Sequence, residues 1–118
     1  MVPKAGMVSD VLDRRLVAVS PNTSLEAARR LSATSNVDLL PVLLDGRLVG
    51  IVLKEDLDRH AAASKVSEIM KKPVFVLRDA DLNEARKLVI SHNLSRIPVV
   101  DSRFGMMCIG TVSSTALV

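Results

Sequence analysis

Asp56, Ser113, Cys108, His60 and His92 are the side chains of this sequence whose types invite chemistry, and their settings restrict what that chemistry can be. Neither histidine has a ligand set around it in sequence, and both fall at helix ends, so solvated or capping imidazoles are expected rather than metal ligands or general bases. Cys108 is the only cysteine and lies inside an apolar strand. With nothing nearby to stabilise a thiolate, it reads as a buried, inert thiol outside any disulfide framework. The chain carries no glycine-rich phosphate loop, no Ser-His-Asp order and no carboxylate pair flanking a cleft, so catalysis is not expected. Asp56 stands where an apolar strand gives way to a helix. A carboxylate there is either a solvated group favoured by the positive helix end or an acceptor for a ligand. Ser113 has the same two readings, helix cap or hydroxyl donor.

The elements that must position these groups are written twice. Leu39 to Leu57 reads as an apolar strand carrying Pro41-Val42, an Asp45-Gly46 turn, a second strand reaching Gly50 and a polar helix start. Ile97 to Leu117 repeats it with Pro98-Val99, a longer turn from Asp101 to Gly105, and Gly110. Pro41 and Pro98 are 57 positions apart, as are Leu25 and Leu82, whereas Gly50 and Gly110 are 60 apart, so the second turn holds a three-residue insertion. Short lead-in segments, Val8 to Leu12 and Val66 to Met70, precede brief strands at Leu16 to Val19 and Val74 to Leu77. Thr23 and Glu26 fit a capping box for the first long helix. Leu25, Ala28 and Leu31, and then Leu82, Ala85, Leu88 and Val89, mark the buried faces of the two helices. Asn36 and Asn93 end them in the left-handed conformation that asparagine tolerates. Lys54 to Ala63 reads as a further helix, matched in the second copy by only Ser113 to Val118.

Two halves of this size bury too little surface to stand alone and are expected to fold against each other. Hydrophobic residues make up 48% of the 118, enough for a core. The apolar runs Leu39 to Leu44 and Leu48 to Leu53 fall far short of the ~20 residues of a membrane span. The amino terminus lacks an apolar segment of secretory type, which makes the cytoplasm the expected location. Net charge is +3 from 16 basic and 13 acidic residues, a weak preference for anionic partners. With Phe75 and Phe104 the only aromatics, nucleic-acid binding is not expected.

Taken together, the doubled order of strand, helix, Pro-Val strand, Gly-ended strand and helix resembles a tandem pair of cystathionine-β-synthase (CBS) domains, a Bateman module, from Val8 to Leu117. The resemblance implies an α/β fold of two pseudo-symmetric β-α-β-β-α repeats, 8–63 and 64–118, packed sheet to sheet, the second with a truncated last helix. It implies a regulatory homodimer with no catalytic cofactor. Two clefts between the repeats would take adenosine-containing ligands, AMP, ADP or ATP, with S-adenosylmethionine as a further option. The alternative is a ligand-free association module whose clefts have decayed.

The family signature runs Gly, apolar, any, Thr or Ser, any, any, Asp. Its Asp accepts hydrogen bonds from the ribose hydroxyls, and its hydroxyl residue faces phosphate. Neither copy is intact: Gly50 to Asp56 keeps the Asp and has Leu53 in place of the hydroxyl, and Gly110 to Ala116 keeps Ser113 and loses the Asp. Family architecture joins Asp56 to Val74, Phe75, Val76, Ser95, Arg96, Ile97 and Pro98 in one cleft, with Arg96 facing phosphate. Against this, Phe75 also reads as plain core and Arg96 as an ion-pair partner. The opposite cleft would combine Ser113 with Val17, Ala18, Val19, Asp38 and Pro41. Leu39 and Ala116 there replace the arginine and the aspartate, so weak or no binding is expected.

Overall fold

Two hairpins dominate the structure, a computed structural model that describes residues 6–60 and 64–117. In chain order the elements are α1 (Leu25–Ser35), β1 (Leu39–Leu44), β2 (Arg47–Leu53), α2 (Lys54–Arg59), β3 (Val76–Leu77), α3 (Leu82–Ser91), β4 (Arg96–Val100) and β5 (Cys108–Ser113). Single 3-10 turns occupy Val8–Val11, Val66–Glu68 and Ser114–Leu117. β1 pairs antiparallel with β2, and β4 with β5, while β3 joins β4 in parallel. The register slips by one residue at Val42/Leu43 and again at Val99/Val100, so both copies carry the same bulge. Asp45 and Gly46 both take positive φ, 52° and 82°, as a two-residue hairpin turn of matching twist requires.

The chain divides in space into two units, Val17–Pro73 and Met1–Leu16 with Val74–Val118. This division cuts across the sequence repeats 8–63 and 64–118, because each lead-in segment is stitched to a hairpin other than the one that follows it. Lys71 exchanges both backbone hydrogen bonds with Ile51 at 2.8 and 3.0 Å, and Asp13 does the same with Thr111 at 2.8 and 3.0 Å. The strand edge is open to such an approach only beside a residue without a side chain. A Cβ on Gly50 would stand 2.9 Å from the Lys71 carbonyl oxygen, and one on Gly110 2.3 Å from that of Asp13.

Within Val17–Pro73 the core is built from Val19, Leu25, Ala28, Val37, Leu40, Val42, Val52, Leu57 and Val66. The other unit matches it with Val8, Val76, Ala85, Val89, Ile97, Val99, Val112 and Leu117. Both long helices bury the expected stripe, and Asn36 and Asn93 each sit at φ 53°.

Three expectations shift. The cap of α1 is Ser24, whose hydroxyl accepts from Ala27 N at 3.1 Å, because the Thr23 hydroxyl is already accepting from Ser20 N at 2.9 Å. The first brief strand shrinks to one bridge, Val19 to Val42, whereas its counterpart β3 is a true strand. Arg78 N donates to Val100 O at 3.1 Å, and the equivalent residue in the first copy is Pro21, which has no N–H to give. The helix expected over Lys54 to Ala63 ends at Arg59, and its last three positions lie outside the described residues.

Cys108 is buried in β5, and burial pushes its thiol up from the ordinary value. The neutral thiol therefore favours the folded state fully below its unfolded pKa, and that contribution is lost as pH rises through the raised folded value. At pH 8 the native thiol should react with a disulfide reagent at least about tenfold more slowly than in denaturant; equal rates would contradict the burial. Gly110→Ala should lower the unfolding free energy by about 2 kcal/mol or more, read by urea denaturation, since the new methyl group meets the Asp13 carbonyl. An unchanged midpoint would show that the two segments separate without cost.

Candidate functional site

Three local features carry Asp56 inward within the unit Val17–Pro73. Lys54 N donates to the Asp38 carbonyl at 2.9 Å, which bends the chain from β2 straight into α2. Leu57 is fully buried and anchors that short helix in the core. Arg29 of α1 donates from Nε to the Leu57 carbonyl at 2.8 Å, taking one of the acceptors that a helix end leaves open. Arg86 of α3 makes the same clamp on Leu117 in the other unit, at 2.5 Å. Held this way, Asp56 is only 4% exposed.

Its electrostatic surroundings are unusual for a buried acid. Lys71 Nζ stands 3.2 Å from Oδ2 and Arg59 Nη1 3.6 Å from Oδ1, and both cations are themselves more than half exposed, at 53% and 65%. The lysine lies off the line that a hydrogen bond needs, so Oδ2 has no hydrogen-bond partner among the described residues. Two cations face the carboxylate, and among the described residues no group donates to Oδ2 in hydrogen-bonding geometry, a role that a hydroxyl could fill.

In the other unit, Arg96 opens β4, half-buried, with its Nε also lacking a hydrogen-bond partner among the described residues. Its register partner across the ladder is Ser113, so the structure puts side by side two residues that the sequence reading assigned to different clefts. Ser113 Oγ lies 2.9 Å from Thr115 Oγ1, and the Ser95 carbonyl accepts from Ser114 N at 2.7 Å. Val74 and Phe75 are half-buried, the latter with the Arg103 guanidinium 6.0 Å from its ring centroid. Val76 and Ile97 are core residues of this unit, and Pro98 is buried beside Thr111 on the adjoining strand.

Among the residues assigned to the weaker cleft, Val19 belongs to the core of Val17–Pro73, with Val17 packed against it. Ala18 is half-buried and the Pro41 carbonyl accepts from Val19 N at 3.0 Å. Asp38 is exposed, with its carbonyl engaged by Lys54. His60 and His92 are exposed helix-end residues. Among the described residues no cluster of His, Cys, Asp and Glu could hold a metal ion, and no helix is long and apolar enough to cross a membrane.

Sequence reasoning missed Lys71, Arg59 and the buried Thr111, whose hydroxyl also has no partner among the described residues. Lys71 could have been found by aligning the lead-in segments, which sets it opposite Asp13. The unit that lacks the acid, with Ala116 in its place, also has Asp13 rather than a cation at the lead-in position.

The CBS domain family model matches residues 8–63 and 66–118. An inosine-5'-monophosphate dehydrogenase of Thermoplasma acidophilum is 36% identical over 103 residues, 86% of this chain and 21% of the enzyme. This chain thus spans about a fifth of the length of the first curated relatives it matches. Among solved structures, the CBS domain pair of protein MJ0100, in complex with 5'-methylthioadenosine and S-adenosyl-L-methionine, superposes with TM-score 0.84 at 25% identity, covering 96% of this chain and 93% of that one. CBSX2, a protein of Arabidopsis thaliana, was solved in complex with AMP; it superposes with TM-score 0.83 at 28% identity, covering 95% and 93%.

A carboxylate that serves the fold and one that serves a ligand respond differently to removal. Asp56→Ala should leave the unfolding free energy within about 1 kcal/mol of wild type, or raise it, because desolvation is relieved and both exposed cations return to water. A loss of 3 kcal/mol or more by urea denaturation would assign the carboxylate to the fold instead.

Proposed function

On the footing that the chain belongs to the CBS domain family and carries two such repeats, we propose that it is a ligand-sensing regulatory module binding an adenosine nucleotide of the AMP, ADP or ATP type between them. The observation that carries this reading is the Asp56 carboxylate, 4% exposed at the β2–α2 junction with Oδ2 open to a donor. A ribose presents two adjacent hydroxyls, the donors such an acceptor fits. Relatives solved with AMP and with S-adenosyl-L-methionine and 5'-methylthioadenosine support the same ligand class.

In this reading Asp56 takes the ribose, and the family resemblance assigns the phosphate to Arg96 and the base and sugar to Val74, Phe75, Val76, Ser95, Ile97 and Pro98. The same resemblance groups Ser113 with Val17, Ala18, Val19, Asp38 and Pro41 in a second cleft, which has no acid at Ala116 and binds weakly or not at all. Binding shifts the population of conformations that a partner reads, by as much as the ligand's affinity differs between them. The reading includes a homodimer through the helices, to which Ile90, 72% exposed on α3, would contribute. The degenerate signatures favour one rival, a scaffold that associates without a ligand.

Calorimetric titration of the nucleotide-free chain with AMP should give about one site per chain, and Asp56→Ala should weaken it at least about tenfold, the loss of a charge-assisted bond. The melting temperature should rise with AMP or ATP by mass action. Two equal sites, or full affinity in Asp56→Ala, would defeat the assignment of residues; no shift with any adenosine compound would leave the scaffold.

A further inference from the structure

We infer that Lys71 sets the ligand class of the Asp56 site, selecting an adenosine compound with an anionic group next to its ribose against neutral and sulfonium-bearing ones. The inference rests on the reading of Asp56 as ribose acceptor given above, and it names which adenosine compounds the site prefers.

The root of Lys71 is fixed. Its N–H and carbonyl both bond Ile51, at 2.8 and 3.0 Å, over the space that Gly50 leaves by having no side chain. From there the side chain brings Nζ to 3.2 Å from Asp56 Oδ2 without making a hydrogen bond to it. A hydroxyl can therefore occupy the lone pairs of Oδ2 while the ammonium stays beside it. Once two hydroxyls share the carboxylate, the three N–H donors of the ammonium still need an in-line acceptor. An anionic group on the ligand supplies one.

Charge counting points the same way. One carboxylate faces two cations, Lys71 and Arg59, while Glu55 and Asp58 on the same helix are exposed to water. The three groups in contact carry two positive charges and one negative, so a phosphate placed against them is attracted, a neutral thioether gains nothing, and a sulfonium is repelled. The other unit lacks both partners, with Ala116 at the acid's place and Asp13 at the lysine's. The cation is kept where the acceptor is kept.

The test is calorimetry on the full, nucleotide-free chain with AMP, 5'-methylthioadenosine and S-adenosylmethionine, for wild type, Lys71→Met, Lys71→Arg and Asp56→Ala. Wild type should prefer AMP over 5'-methylthioadenosine by about tenfold or more, with S-adenosylmethionine weaker than either. Lys71→Met should cut the AMP preference about fivefold while keeping 5'-methylthioadenosine binding, and Lys71→Arg should restore it. Where Lys71→Met melts early, Lys71→Gln serves as the second variant with the same expectation. An unchanged preference in Lys71→Met or Lys71→Gln, with AMP still bound by wild type, overturns this inference alone. Failure of wild type to bind any of the three overturns the ribose reading and this inference with it.

Discussion

The rest of the structure depends on a pair of backbone contacts, Lys71 with Ile51 and Asp13 with Thr111, in which an incoming segment exchanges both of its hydrogen bonds with a hairpin strand. Each satisfies edge groups on β2 or β5 that would otherwise lie open, and each fixes where its lead-in segment must run. Neither can form beside a side chain, and so both strands carry glycine at the crossing. In Val17–Pro73 the same contact delivers a cation to Asp56. One backbone arrangement thus closes a sheet edge and places a cation beside a buried acid.

The two copies have kept this frame and divided the chemistry between them. In the first, Asp56 and Lys71 stand together while the register pair Leu39 and Leu53 is apolar. In the unit of Val74–Val118 with Met1–Leu16, Ala116 and Asp13 stand at the places of the acid and cation, while the equivalent register pair is Arg96 and Ser113. Each unit thus presents its polar groups as neighbours.

Much of this was legible because the informative residues act locally. Asp45-Gly46 can hardly be anything but a hairpin turn, Asn36 and Asn93 end helices by their own backbone tolerance, and the Pro-Val and Gly positions mark the doubled unit. The Asp56 position was legible through the family signature, which puts an Asp six residues after Gly50. The failures have non-local causes. Whether Thr23 or Ser24 caps α1 depends on which hydroxyl the preceding turn has already claimed. Lys71 looks like half of a surface basic pair until its segment is laid against β2, 20 residues earlier. The division of the chain into units was hidden likewise, since the lead-in segments bond to strands remote in sequence.

That last arrangement has a consequence for how the protein is made. Val8 bonds to Ala80, Ser9 to Arg78 and Asp13 to Thr111, so residues 8–13 find their partners only after residues 78–111 have left the ribosome. The unit Val17–Pro73 has a core of its own, from Val19 to Val66, and can settle earlier, while residues 8–13 wait. Loop closure over about a hundred residues is a slow, late step, and during it the edge of β5 stays open to a second nascent copy offering the same segment.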